Sequence, residues 1–470
     1  MSTTSVTELV SIPPSHDRTT TTTARLPSPS PVTSRRESRS TAGSEDGPQA
    51  NIATTIPEGG YGWFVVASCS ILTFWFNGTL GSWGVLQAAL LRSDLATTPT
   101  STVSFVGSLG LANIVAFGLF GVRLMRILGA RLTSILGVAL LATGAFTSSF
   151  TTSNVGGLFG CSGVLFGFGA SLCYSVSNVL PTHYFSARLG LASGLVKFGG
   201  GVGAAVLSIA IEALIRHVGI PWTFRIIGLL ALATGLPAAW FIRERVPIGH
   251  APFLDLSMFR NLAFTSVFLA GAIGVFCMFV PPFFLPLVAE SLGMTPSTGA
   301  AIVAGFNACT AVGRFVSGWL SDYTGPVNML LLSMLVNAIT CFAIWPVSES
   351  LAPLLTFAML NGLANGAFFT IYPVVVASTS VNIGYGHSSG QAVAMGMATT
   401  GWTGGYLLGV PIAGYLLQAS GVGAPGQSPI HTSVAPYRPA IFYAAAMALA
   451  AAGFVMVARI RLSRGGKRKV

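Results

Sequence analysis

The chain has 470 residues, of which 52% are hydrophobic and 8% charged, and it carries a formal net charge of +11. Soluble domains carry about a quarter charged residues, so a water-facing surface cannot be built here and soluble enzymes or binding modules are excluded. The cations fall in short gaps between apolar runs and at the C-terminus, which marks them as topology signals and argues against a nucleic-acid partner.

Residues 1–56 are dominated by Ser, Thr and Pro, a composition that cannot bury enough apolar surface to order itself. They are expected to form a disordered cytoplasmic tail, within which "RRES", ending at Ser38, is a candidate kinase site. Twelve apolar segments follow, near 62–86, 103–123, 132–151, 157–180, 190–214, 222–242, 262–288, 298–320, 327–347, 353–377, 389–418 and 438–458. Each approaches the roughly 20 residues needed to cross about 30 Å of hydrocarbon. The reading is an all-α membrane protein of 12 transmembrane helices, with one six-helix half over 57–242, a cytoplasmic linker over 243–261, a second half over 262–458 and a basic tail over 459–470. Arg123, Arg126, Arg131, Arg188, Arg243, Arg245, Arg260 and the tail cations collect on one side, against Arg92, Arg216 and Arg438 on the other. Both termini are therefore expected in the cytoplasm, with the tail against anionic lipid.

All six cysteines lie inside apolar runs without metal-ligand spacing, so no metal or cofactor is expected. No Ser/His/Asp or metal constellation occurs at membrane depth, which argues against an enzyme. Glycines four apart (Gly163 and Gly167, Gly199 and Gly203, Gly405 and Gly409) are expected where helix backbones approach closely.

Two stretches resemble one family. Glu58-Gly59-Gly60-Tyr61-Gly62-Trp63 is similar to the signature at the first helix of the monocarboxylate transporter family, within the major facilitator superfamily. The run Tyr184 to Gly203 is similar to its fifth-helix signature at Tyr184, Phe185, Arg188, Leu191, Ala192, Gly194, Gly199 and Gly203. "GVPIAG", Gly409 to Gly414, and "SWGVLQ", Ser82 to Gln87, also resemble the family, the latter its fungal members. The resemblance implies two pseudo-symmetric halves that rock about a central site in the bilayer. From the residues alone, Glu58 suits a helix N-terminus, and Tyr61 and Trp63 suit the headgroup belt.

Ionisable residues at membrane depth are costly and mark pathways. Arg225 lies near the outer end of the sixth segment, within reach of the interface. Arg314 lies about 12 Å inside the eighth segment at 1.5 Å per residue, on a stripe with Asn307, Thr310, Ser317, Gly318 and Ser321, and Lys197 is about 13 Å deep in the fifth. By the resemblance, Arg314 binds a substrate carboxylate, and Lys197 on a facing helix helps hold the anion. Asn361, Asn365 and Tyr372 of the tenth segment are further candidates for the cavity. The acid that carries the proton in the family's animal members is Thr310 here, which leaves Lys197 as a group able to exchange a proton. "GVRLMRILGAR" is a degraded gate loop that keeps Gly129 and Arg131 and lacks its acid, while "GWLSDYTG" keeps Gly318, Asp322 and Gly325.

The expected function is secondary transport of a small organic anion, proton-linked, in the plasma membrane. An exporter of a secondary metabolite is the alternative, and a non-transporting sensor is a third class, disfavoured by the short tails. Its partners would be the small-molecule substrate, the lipid bilayer and protons.

Overall fold

Backbone groups in hydrocarbon must be hydrogen-bonded within their own segment or barrel. A computed structural model of the chain, describing residues 59–185, 188–245, 255–384, 388–420 and 433–463, meets this demand with helices alone, and contains no strand among the described residues. Glu58, Ser38 and the cations beyond Ser463 lie outside the described residues.

The helices are α1 (Tyr61–Arg92), α2 (Thr100–Ala116), α3 (Gly118–Ser148), α4 (Val155–Tyr184), α5 (Leu189–Phe241), α6 (Leu262–Ser291), α7 (Pro296–Thr324), α8 (Pro326–Val347), α9 (Leu351–Asn382), α10 (Ser388–Thr400), α11 (Trp402–Ala419) and α12 (Arg438–Ser463). Among the described residues nine helices are long and apolar enough to cross a membrane. Two of them hold more than one expected segment. α3 turns at Gly129 (φ 82°, ψ 160°) and α5 at Gly219 (φ 80°, ψ 169°), a backbone region essentially restricted to glycine. The short stretch before Gly129 completes the second expected segment, and the arm after it is the third. The two arms of α5 are the fifth and sixth. The first expected segment runs on to Arg92, with a break at Ser82, and α6 breaks at Phe279 before Pro281 and Pro282.

Exposed Phe64, Trp222, Phe315, Trp319 and Tyr415 lie on helix surfaces that water would not tolerate in such number and that lipid accommodates. Arg225 donates to Ser149 Oγ at 3.1 Å and lies over the Phe150 and Trp222 rings, so its charge is met at the edge of the apolar zone.

The paired glycines sit at helix contacts. Gly199 and Gly203 lie against α1 at Ser70 and Phe74, Gly163 and Gly167 against α2 at Leu109 and Gly110, and Gly405 and Gly409 against α6 at Ala272 and Phe276. Three seams join the two halves: the first arm of α5 on α7, α2 on α11, and the end of α1 on the end of α6.

The two signature stretches, distant in sequence, pack on one another. A Cβ on Gly62 would stand 2.8 Å from Tyr184 Cβ, and the Trp63 ring packs tilted against Phe185 with centroids 4.7 Å apart. Tyr61 Oη donates to the Phe241 carbonyl at 2.6 Å, Tyr184 Oη donates to the Arg243 carbonyl at 2.9 Å, and the Arg243 guanidinium covers the Tyr61 ring. The start of α1, the end of α4 and the end of α5 are thereby tied into one joint. Gly59 and Gly60 lead into it, Gly60 with φ 60°, while Arg188 and Gly194 lie beyond it on α5, Gly194 with open space at its Cβ position.

At the turn in α3, the Ala130 N–H donates to Glu244 Oε2 at 3.2 Å, and Arg131 Nε donates to the Ile242 carbonyl at 3.3 Å while its guanidinium covers Trp240. Glu244, at the end of α5, thus caps the new helix with the carboxylate that the loop's own sequence lacks. Replacing Gly129 by Ala forces a side chain into this turn and costs about 1–3 kcal/mol. A lowered thermal midpoint of the purified protein is expected, with Gly118→Ala, at an unstrained site with open space beside it, leaving the midpoint within about a degree.

Candidate transport site

Between α5 and α7, where α1, α6 and α9 join the seam, lies a narrow pocket of about 20 Å³, room for about one water. Its polar lining comes from Asn77 of α1, Asn307, Thr310 and Arg314 of α7 and Asn365 of α9, and its apolar lining includes Met278, Phe279, Phe306 and Phe369. No Asp or Glu is among the residues that line it.

Arg314 stands on α7 where two glycines let neighbouring helices come close. A Cβ on Gly201 would meet Ala311 at 2.7 Å, and one on Gly366 would run into the Thr310 carbonyl oxygen. The guanidinium donates from Nη1 to the Lys197 carbonyl at 2.6 Å and lies 5.9 Å from the centre of the Phe369 ring. Its Nε is buried without a hydrogen-bond partner. A half-buried cation with a buried Nε and no carboxylate lining the pocket keeps one donor unspent within the protein.

The other predicted residues divide between the cavity and its supports. Asn307 donates to the Gly81 carbonyl at 3.2 Å across the halves, and Asn365 donates to the Met278 carbonyl at 2.7 Å, so each has its amide group fixed and its carbonyl oxygen left for the cavity. Thr310 donates back to the Phe306 carbonyl at 2.9 Å. Lys197, Asn361 and Tyr372 do not line the cavity. Lys197 contributes its carbonyl oxygen to Arg314 in place of the expected side-chain contact. Asn361 is engaged by α8, donating to Asn337 Oδ1 at 3.0 Å and Thr340 Oγ1 at 2.9 Å. Tyr372 is fully buried against Gly271 and Trp402.

Sequence reasoning passed over Asn77, although a lone amide in the apolar run "TFWFNGTLG" was its signal. The phenylalanines carried no such signal, because aromatic residues are common throughout the helices.

The seam between α1 and α6 is closed at the helix ends beyond the cavity. Gly84 abuts the Pro282 carbonyl, and Arg92, at the end of α1, lies 3.4 Å from Glu290 of α6 and 3.9 Å from Glu212 of α5. The first pair bridges the halves. Both carboxylates are largely buried. At the opposite end of α7, Gly318 faces open space near Thr370, Asp322 sits in the last turn, and Gly325 (φ 87°, ψ 143°) makes a turn like that at Gly129.

A sequence profile described as Major Facilitator Superfamily matches residues 63–286 and 267–470. The chain belongs to this superfamily. Similar proteins include the Aspyridones efflux protein apdF of Emericella nidulans, 28% identical over 376 residues that span 80% of this chain and 76% of the relative. Monocarboxylate transporter 13 of Bos taurus is 28% identical over 377 residues, spanning 78% of this chain and 85% of that one. MFS-type transporter 1 of an Ophiocordyceps species is 29% identical over 343 residues, 72% of this chain and 76% of the relative. A crystal structure of a bacterial homolog of the human lysosomal transporter Spinster shares the fold, with a TM-score of 0.60 at 16% identity over 86% of this chain and 97% of that one. The protein is therefore a multi-pass membrane transporter of the major facilitator type, with relatives of both fungal and monocarboxylate-transporter description.

Because Gly366 lets α9 lie against the Thr310 carbonyl and the Arg314 amide, Gly366→Ala must push α7 aside, at a typical overpacking cost of about 1–3 kcal/mol. Substrate uptake by reconstituted Gly366→Ala is expected to fall at least tenfold while Gly453→Ala on α12, where a Cβ meets nothing within 4 Å, retains it.

Proposed function

We propose that this chain is a secondary active transporter that moves an organic anion by alternating access, with the acidic group of the substrate on Arg314 and its apolar body against Met278, Phe279, Phe306 and Phe369. The observation that carries this reading is Arg314 itself, at the meeting of the halves with a buried, unpartnered Nε and no carboxylate on the cavity wall. Asn77, Asn307 and Asn365 surround it with polar groups that suit a second oxygen of the same substrate. Proton linkage is part of the proposal. Since Thr310 stands where the animal relatives have an acid, Lys197 is the group at membrane depth proposed to exchange the proton, with the carboxylates Glu212 and Glu290 near the outer face as further candidates.

The distribution of Lys and Arg orients the protein with both termini in the cytoplasm, and the plasma membrane is the proposed location. In that orientation Arg92, Glu212 and Glu290 lie at the outer face, and the conformation described is closed there.

A second reading, export of a secondary metabolite, draws on the apolar share of the cavity lining and on the name of the aspyridones efflux relative. Both readings place an acidic group on Arg314, and they differ in the size of the apolar body and in direction.

The test is uptake into liposomes of short monocarboxylates, dicarboxylates and aromatic carboxylates, with and without an inward proton gradient. Gradient-dependent accumulation that is lost in Arg314→Ala is expected. Transport that survives Arg314→Ala would sink the assignment.

The outer closure has its own test, with Ala88→Cys introduced into a chain whose six native cysteines are replaced by Ala. Ala88 is buried one turn beyond Gly84 on the α1 face that meets α6. Arg92 is a third exposed, so its bridge is discounted to roughly 1 kcal/mol, and Arg92→Ala is expected to speed labelling by an impermeant maleimide about fivefold. Unchanged labelling would mean that the bridge does not hold the face shut.

A further inference from the structure

On the side of the molecule opposite the Arg92 bridge, three helix ends border an open cleft of about 330 Å³. It is lined by Arg260, Asn261, Leu262 and Ala263 at the start of α6, Asn382 and Ile383 at the end of α9, and Arg461 and Leu462 near the end of α12. The lining holds two guanidinium groups from separate helices and no carboxylate. Asn261 caps α6, accepting from the Ala263 N–H at 2.9 Å, and Thr265 Oγ1 donates to the Phe259 carbonyl at 2.8 Å, so Arg260 stands on a fixed turn. The N-terminus of α6 opens into the same cleft and adds its positive partial charge. None of this belongs to the transport cavity, whose lining shares no residue with the cleft.

The cleft is bordered by apolar surface. Leu256, Leu262, Val381, Val457 and Ile460, adjacent in sequence to its polar lining or one turn away, are large apolar side chains left 39–70% exposed. A cationic cleft at the level where helices end, with exposed aliphatic groups beside it, matches a ligand that has a phosphoryl head and acyl chains. A free anion has no use for the second half of that surface.

We propose that this cleft is a binding site for the headgroup phosphate of an anionic phospholipid, held by Arg260 and Arg461. In the orientation proposed above it faces the cytoplasmic leaflet, where anionic lipids collect. One phosphate bridging the two arginines joins the start of α6 to the end of α12 and so braces the second half of the protein.

The experiment is native mass spectrometry of the full-length protein released from nanodiscs of equal phosphatidylserine and phosphatidylcholine content, with thermal midpoints to verify folding. Wild type is expected to retain phosphatidylserine. The double variant Arg260→Gln/Arg461→Gln is expected to retain about thirtyfold less, as the loss of two arginine contacts predicts, and Arg260→Lys/Arg461→Lys to keep most of it. Arg459→Gln removes a neighbouring cation that does not line the cleft and should leave retention unchanged. Equal loss from Arg459→Gln would assign the lipid to diffuse charge and overturn the site. Equal retention by wild type and the double Gln variant would also overturn it. Full displacement of the lipid by millimolar inorganic phosphate would reassign the cleft to a free anion. None of these readouts depends on transport, so they stand apart from any failure of the Arg314 assignment.

Discussion

A guanidinium inside a membrane protein must be met by an anion, a dipole or water, and the way Arg314 is met determines how the halves fit together. Its short bond runs to the backbone carbonyl of Lys197 on the facing helix, a partner that no side-chain change can remove. A carbonyl dipole satisfies one N–H and leaves the net charge in place. Had an acid stood at position 310, the charge would be neutralised inside the helix, and the substrate would have to compete for it. Thr310 instead turns its hydroxyl back on its own helix, and the cation remains available.

Such a bond requires helix backbones to come nearer than ordinary side chains allow. Gly201 against Ala311 and Gly366 against Thr310 provide the approach on two sides of α7. Lipid offers little hydrophobic drive for helix association, so close packing and interhelical hydrogen bonds supply it. The seams between halves carry few charges besides Arg314 and the Arg92 bridge, and those two lie at different depths. One lines the cavity, the other joins helix ends beyond it.

Much of this was legible in the sequence because the signals were costly ones. An arginine eight residues inside an apolar run has few uses, and Arg314 lies where that reasoning put it. Glycines spaced by four in α4, α5 and α11 found their contacts. Gly129 and Gly325, marked as gate-loop residues by the resemblance, stand at turns with φ of 82° and 87°. What escaped had partners distant in sequence. The gate loop reads as lacking an acid, yet Glu244 supplies one from 114 residues further along, and no local pattern announces that. Lys197 was judged by its side chain, whereas its carbonyl is what Arg314 uses. Asn361, one turn from Asn365, shares its chemistry and faces α8, since one helical turn still rotates the side chain by some 40°. The division into twelve segments anticipated the two sharp turns at Gly129 and Gly219.

The joint formed by Gly62, Trp63, Tyr184 and Phe185 has a consequence for how motion is distributed. It clamps three helix ends of the first half through a tilted ring contact and two hydroxyl-to-carbonyl bonds. A body clamped in this way turns as a unit. Amide hydrogens around the joint would then stay protected from deuterium through every turnover, while those along α1 near Gly84 and α7 near Arg314 would exchange at a rate set by cycling. The stretch that most strongly suggests the family is thus a rigid part of its half, set apart from the seams where the two halves meet.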